Sequence, residues 1–168
     1  FNDRASSSLW QIIEKFNPAL FEKRLAIKRK VARKYLVELL VFTLMPNHYH
    51  LILREIIPNG ISLFMQKLGG YASYFNKQYD RVGPLFQSRY KSVPIQNDIQ
   101  LHTIFAYVHT NPIELVEPGW KKFIVKDAEK ATEYLGNYKW SSYRDYVDMP
   151  NFPTVTQREF FLTFFGNT

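Results

Sequence analysis

The sequence contains no cysteine. That absence excludes disulfides and thiolate metal sites, so any bound metal must use His, carboxylate or amide ligands. It also fits a reducing cytoplasm as the working compartment. Long apolar runs are missing too. The most apolar stretch, residues 36–44, is interrupted by Glu38 and Thr43, so no segment reads as a bilayer span, and no secretory signal is visible. Acidic residues are in short supply, with 15 Asp and Glu against 22 Lys and Arg, a formal net charge of +7. This balance favours a polyanionic partner, nucleic acid first and an anionic membrane surface second. There is no internal repeat and no low-complexity tract.

What is present suits one folded unit. A chain of 168 residues is long enough for a single hydrophobic core, and 46% apolar content excludes a disordered chain. Aromatics are plentiful, with 11 Tyr, 14 Phe and 3 Trp. Most fill the core, but exposed rings can stack on unpaired bases.

Residues 6–16 read as a helix, capped by a serine among Ser6, Ser7 and Ser8 and ended by Asn17-Pro18. Residues 19–34 read as a second, basic helix carrying Arg29 and Arg33. Its charges either track a DNA backbone or form an ordinary solvated face. Residues 35–44 and 48–55 read as two strands of a hairpin. Residues 61–79 carry an apolar stripe at helical spacing, with Gly69-Gly70 inside it. A further strand is expected over 86–95 and a helix over 98–110, capped at Asn97 or Asp98 and stopped by Asn111-Pro112. A helix is expected at 127–135, then a loop NYKWSSYRDY, then a last short helix opened by a capping box from Thr156 to Glu159. Helices interleaved with few strands predict an α+β fold with helices on one side of an antiparallel sheet.

Two features carry chemistry. In a strand, residues two apart share a face, so His48 and His50 project side by side as half of a metal site. Two unrelated surface or core histidines are the alternative. On the helix of 98–110, Tyr107 and Asn111 are four apart and stack on one face, beside the apolar stripe of Leu101, Ile104, Phe105 and Val108. They mark either the edge of a groove or an ordinary boundary tyrosine with a helix-ending asparagine. Taken together, two imidazoles and one amide oxygen suit Mn²⁺ or Mg²⁺, with positions left for water and a phosphate oxygen. Such a metal would polarise a phosphate, and a tyrosine attacking it would store the broken phosphodiester as a phosphotyrosine. Arg89 and Lys91 share a face of the expected strand and, with Arg29 and Arg33, are candidates for a DNA-binding groove.

These residues resemble a known family. MPNHYHLIL at 45–53 is similar to the His-hydrophobe-His motif of single-tyrosine transposases, FQSRYKS at 86–92 and YVHTNP at 107–112 resemble two further blocks, and KWSSYRDY at 139–146 resembles the tail block of REP-associated tyrosine transposases. The resemblance implies a ferredoxin-like α+β fold of HUH endonuclease type. It implies His48, His50 and Asn111 as metal ligands and Tyr107 as nucleophile, acting on single-stranded or hairpin-bearing DNA through a 5′-phosphotyrosine and a free 3′-OH. It implies a bacterial cytoplasmic enzyme working at the nucleoid, as a monomer or as a homodimer with exchanged tyrosine helices. In that family a strand precedes the first helix, so one is expected upstream of Phe1. The expected division is a transposase domain over 1–146 and a helical extension over 147–168. A single-stranded DNA-binding protein without cleavage and a metal-dependent phosphoesterase are the competing readings.

Overall fold

The computed structural model describes residues 34–86 and 88–166. The helices expected over 6–16 and 19–34 lie outside the described residues except for Lys34, and Arg29 and Arg33 lie outside with them. Strands β1 (Val37–Leu44) and β2 (Tyr49–Glu55) form an antiparallel hairpin, close to the expected bounds. The turn between them is closed by the Met45 N–H donating to the His48 carbonyl at 2.8 Å. The register sets Thr43 opposite His50 and Leu44 opposite Tyr49, with an irregularity between Leu39 and Val41.

Among the described residues five α-helices complete an α+β fold: α1 (Gly60–Gln78), α2 (Asp98–Thr110), α3 (Ala128–Asn137), α4 (Tyr143–Tyr146) and α5 (Glu159–Gly166). The helix expected at 61–79 and that at 98–110 are found as α1 and α2, and Asn97 caps α2 by accepting the Gln100 N–H at 2.9 Å. Gly60 is required at the start of α1, because a Cβ there would collide with the Leu36 carbonyl. Gly69 and Gly70 meet nothing that a Cβ would touch, so no close packing within the described chain explains them.

The core lies on both faces of the hairpin, not on one. Val41 and Ile52 pack with Val108 of α2 and Phe161 of α5, while Phe42 packs with Tyr138, Trp140 and Phe152, joined by Leu51. The reason is legible in β1, where Leu40, Val41, Phe42 and Thr43 are all buried in succession. A strand buried on both faces reads as a continuous apolar run and not as an alternation.

Three further expectations change. Residues 88–97 form no strand and are all exposed; Pro94 removes a donor there, and no described strand pairs with the segment. The segment expected as a loop at 137–146 instead covers the outer edge of β1. The Leu44 N–H donates to the Trp140 carbonyl at 2.8 Å and the Ser142 N–H to the Phe42 carbonyl at 3.0 Å, and Thr43 bridges Ser141. The Tyr138 hydroxyl donates to Leu44 and the Tyr146 hydroxyl to Leu40, at 2.6 and 2.7 Å. A covered edge cannot pair with another chain. The expected capping box is not made, since Thr156 Oγ1 is buried without a partner among the described residues.

The end of α2 is fixed by a missing donor. In an α-helix the Val108 carbonyl accepts from the residue four along, which is Pro112 and has no N–H. Thr43 Oγ1 supplies the donor instead, at 2.8 Å and fully buried. This bond ties α2 to the strand pair at the position opposite His50. Beside it, His109 Nε2 and Ser142 Oγ lie 2.9 Å apart, and burial pushes the His109 pKa down to about 3, keeping the ring neutral.

Thr43→Val, which keeps the shape and removes the hydroxyl, is therefore expected to destabilise the fold by about 1–3 kcal/mol, the cost of a buried carbonyl left unpaired. Urea denaturation at unchanged m measures it. Thr43→Ser should recover part of the loss. A Thr43→Val protein as stable as wild type would show that the Val108 carbonyl needs no donor.

Candidate active site

Strand alternation builds the first half of the site. His48 ends the hairpin turn and His50 is the second residue of β2. Their rings meet edge to face, with centroids 4.9 Å apart and planes at 87°. Helix α2 brings the second half. The Tyr107 ring lies 5.5 Å from His50 at 76°, and the Trp120 ring also meets it, edge to face at 5.8 Å. Tyr107 is partly buried, as expected for a residue at the edge of the helix interface.

Asn111 departs from its expected place. It is fully buried, not at a groove edge. Its backbone is right-handed helical (φ −52°, ψ −37°) and its N–H donates to the Tyr107 carbonyl. The chain continues through it into a 3-10 turn, Asn111–Leu115, although the helical region is disfavoured directly before proline. Asn111 is thus no left-handed helix terminator. Its side-chain Oδ1 and Nδ2 are both buried without a partner among the described residues, and so is Nε2 of His50. Buried polar atoms of this kind carry a desolvation cost unless something binds them.

The electrostatics keep the imidazoles neutral. His48 and His50 are both held below the usual histidine pKa, chiefly by burial, with Lys121 adding repulsion and Glu114 opposing it; for His50, His48 also contributes. Neutral imidazole is the form that ligates a metal. His48 Nδ1 donates to Asn47 Oδ1 at 2.6 Å, which leaves its Nε2 lone pair available. Among the described residues no group of three or more His, Asp or Glu side chains gathers to hold a cation. A metal at this site would therefore need the amide of Asn111 as a ligand beside the two imidazoles. The unpartnered His50 Nε2 and Asn111 Oδ1 fit that donor set.

Sequence reasoning missed two neighbours. Trp120 Nε1 donates to the Thr110 carbonyl at 2.6 Å, holding a short 3-10 turn, Trp120–Lys122, against the end of α2. Lys121 pairs with Glu114 at 2.5 Å, and its pKa is raised mainly by that hydrogen bond, with a contribution from Tyr107. The only signal in the sequence is a Trp-Lys-Lys run shortly after Asn111.

The basic candidates lie elsewhere. Arg89 lines a cavity of about 310 Å³ with Tyr49, Met65, Ala72, Phe86 and Tyr90. Tyr49 alternates with His48 and His50 along the strand, so this cavity opens on the side of β2 away from the imidazoles. Lys91 is exposed on the unpaired segment, and Tyr90 lines the same cavity as Arg89.

A family model described as "Transposase IS200 like" matches residues 13–111, more than half of the chain and a span that includes His48, His50, Tyr107 and Asn111. No curated protein and no solved structure matches the chain.

If Asn111 is kept for a ligand, it weighs on the unliganded fold. Asn111→Leu replaces an unpaired buried amide by an apolar group of similar size, and should leave the metal-free protein as stable as wild type or more so, by up to about 1–3 kcal/mol. The same change should abolish the rise in melting temperature that Mn²⁺ gives the wild type through linkage. Thermal melts with and without Mn²⁺ check both halves. A Leu variant that melts lower than wild type and still responds to Mn²⁺ would refute the assignment.

Proposed function

The chain belongs to the IS200-like transposase family, and from that premise we propose that it is a metal-dependent endonuclease and strand transferase of single-stranded, hairpin-bearing DNA, of the REP-associated branch, with Tyr107 as its nucleophile. The observation that carries this reading is the Tyr107 ring set against His50, whose Nε2 is buried and unpartnered. Among the described residues no helix is long and apolar enough to cross a membrane.

His48, His50 and Asn111 would hold Mg²⁺ or Mn²⁺, which supplies polarisation of the scissile phosphate and stabilisation of the charge that builds on it. The chain's own residues do the rest. A phenol ionises near pH 10 and is a weak nucleophile at neutrality, so its position matters. The helix end tied down by Thr43 and Trp120 holds Tyr107 in place. The Tyr107 hydroxyl gives up its proton to solvent as its oxygen attacks phosphorus, an O–P bond forms, and the bond from phosphorus to the 3′ oxygen breaks. That oxygen takes up a proton and leaves as a 3′-OH, while the 5′ end remains on Tyr107. Attack by a 3′-OH on the phosphotyrosine reverses the sequence and frees the phenol, so joining needs no nucleotide cofactor. Arg29, Arg33, Arg89 and Lys91 are proposed to hold the DNA backbone. Because Arg89 sits on the far side of β2, a bound hairpin would have to reach both sides of that strand. The transposase unit is proposed to be 1–146, with 147–168 as an extension, acting as a monomer or a homodimer in the cytoplasm.

Tyr107→Phe tests the reading. It removes one oxygen and keeps the ring, so the fold should change by no more than about 1 kcal/mol, and affinity for a hairpin oligonucleotide should persist, since phosphate contacts and stacking supply it. Incubated with labelled hairpin DNA and Mn²⁺, the wild type should yield a covalent protein–DNA species and the variant none. A variant that still becomes attached would remove Tyr107 from the role. A wild type that cuts without attachment would mean activated water is the nucleophile, and one that binds without cutting would favour a non-catalytic DNA-binding protein.

A further inference from the structure

Residues 119–126 form a loop whose tip opposes the preference of its own residue. The 3-10 turn Trp120–Lys122 is closed by the Phe123 N–H donating to the Trp120 carbonyl at 2.8 Å and the Ile124 N–H to the Gly119 carbonyl at 3.1 Å. This bond pair ends a helical turn on a left-handed residue, usually glycine. Here that residue is Phe123, at φ 59° and ψ 26°, a conformation that is strained for a bulky side chain. The fold gains nothing visible from the ring, which is 99% exposed. The backbone beneath it is tight, since a Cβ on Gly119 would lie 2.8 Å from the Ile124 carbonyl oxygen. A closed turn thus projects a strained, solvated aromatic ring.

Charge and position indicate what meets that ring. Residues 120–126 carry three lysines and no acid. Three neighbouring carboxylates have partners: Glu114 pairs with Lys121, Glu117 accepts the N–H groups of Lys126 and Asp127 at 3.3 and 3.2 Å, and Asp127 accepts the Lys130 N–H at 2.9 Å. The base of the loop is a wall of the candidate site, through the contact of Trp120 with Tyr107. Exposed aromatic surface flanked by lysines matches how proteins hold unpaired nucleotides, by stacking on bases and neutralising phosphates. A lysine-flanked apolar tip can also enter a lipid interface, but continuity with Tyr107 favours the nucleic acid.

We propose that the loop 119–126 is a strand clamp for the tyrosine site, in which Phe123 stacks on an unpaired base beside the cleaved bond and Lys122 and Lys126 hold the backbone on either side of it. This inference rests on the single-stranded DNA reading of the site. It gives the strained phenylalanine a role that the fold does not, and it predicts a preference for unpaired over paired DNA at this position.

The left-handed backbone makes the test clean. Phe123→Gly suits the turn better than phenylalanine, so its melting temperature should equal or exceed that of wild type. Its affinity for a fluorescein-labelled 20-nucleotide oligothymidine should nevertheless fall by about tenfold, while affinity for a blunt duplex of the same length stays unchanged. Phe123→Trp should retain strand binding. Strand affinity of Phe123→Gly equal to that of wild type overturns the clamp, even where wild type forms the covalent DNA species normally. A melting temperature that falls together with affinity also overturns it, in favour of a structural ring. Loss of binding to phosphatidylserine vesicles, with strand binding intact, assigns the tip to a membrane surface instead. A wild type that binds no single strand fails at the earlier step, because the DNA reading of the whole site goes with it.

Discussion

A missing backbone donor organises this molecule. Pro112 cannot offer an N–H to the Val108 carbonyl, and the Thr43 hydroxyl takes its place from the middle of the hairpin. Two residues further on, the Thr110 carbonyl accepts from the Trp120 indole. The end of α2 is thus satisfied by the sheet on one side and by the loop after it on the other. The last carbonyls of a helix have no partner within it and are met by side chains, water or a tightened last turn. Here they dock the helix, and the candidate residues Tyr107 and Asn111 flank the two docking points. Thr43 pairs with His50 across the strands, so the same threonine that fixes Val108 also fixes how the neighbouring Tyr107 meets the imidazole.

The site itself runs against folding stability. Asn111 is wholly buried with an unpaired amide, it is helical directly before a proline, and His50 buries an unpaired nitrogen close to the tyrosine. Each of these features costs free energy in the metal-free chain. Phe123 adds a fourth, in a left-handed turn. Unfavourable local choices at Asn111 and His50 and at the tip of the loop that carries Trp120 are what a functional site looks like physically. Away from the site, Thr156 Oγ1 and Arg144 Nε are also buried without a partner among the described residues, but other polar groups are well paired. The edge of β1 is covered by residues 140–142, and buried Asp145 accepts the N–H groups of Asn151 and Phe152 at 2.7 and 3.0 Å.

How much of this was legible beforehand follows the range of the interactions. The hairpin, α1, α2 and the sharing of a face by His48 and His50 depend on period and local capping, and they were readable from the sequence. The apolar run in β1 did carry the two-sided core, but only as an absence of alternation, which a one-sided reading overlooks. The strand expected at 86–95 failed because β-forming residues need a partner, and partners are non-local. The role of KWSSYRDY as an edge cover, the substitution of Thr43 for a proline's N–H, and the approach of Trp120 to Tyr107 are contacts between distant positions that no periodicity encodes. Asn111 was readable as a candidate through its spacing from Tyr107, whereas its complete burial was not.

On the proposed reading, the hairpin turn and the end of α2 form one cation site beside the tyrosine. Substoichiometric Mn²⁺ added to ¹⁵N-labelled protein broadens amide resonances near the bound ion. The first signals lost should be those of His48, His50 and Asn111, followed by Tyr107 and its neighbours, with residues of α3 unaffected. Broadening centred on surface carboxylates away from these residues, or none at all, would contradict it.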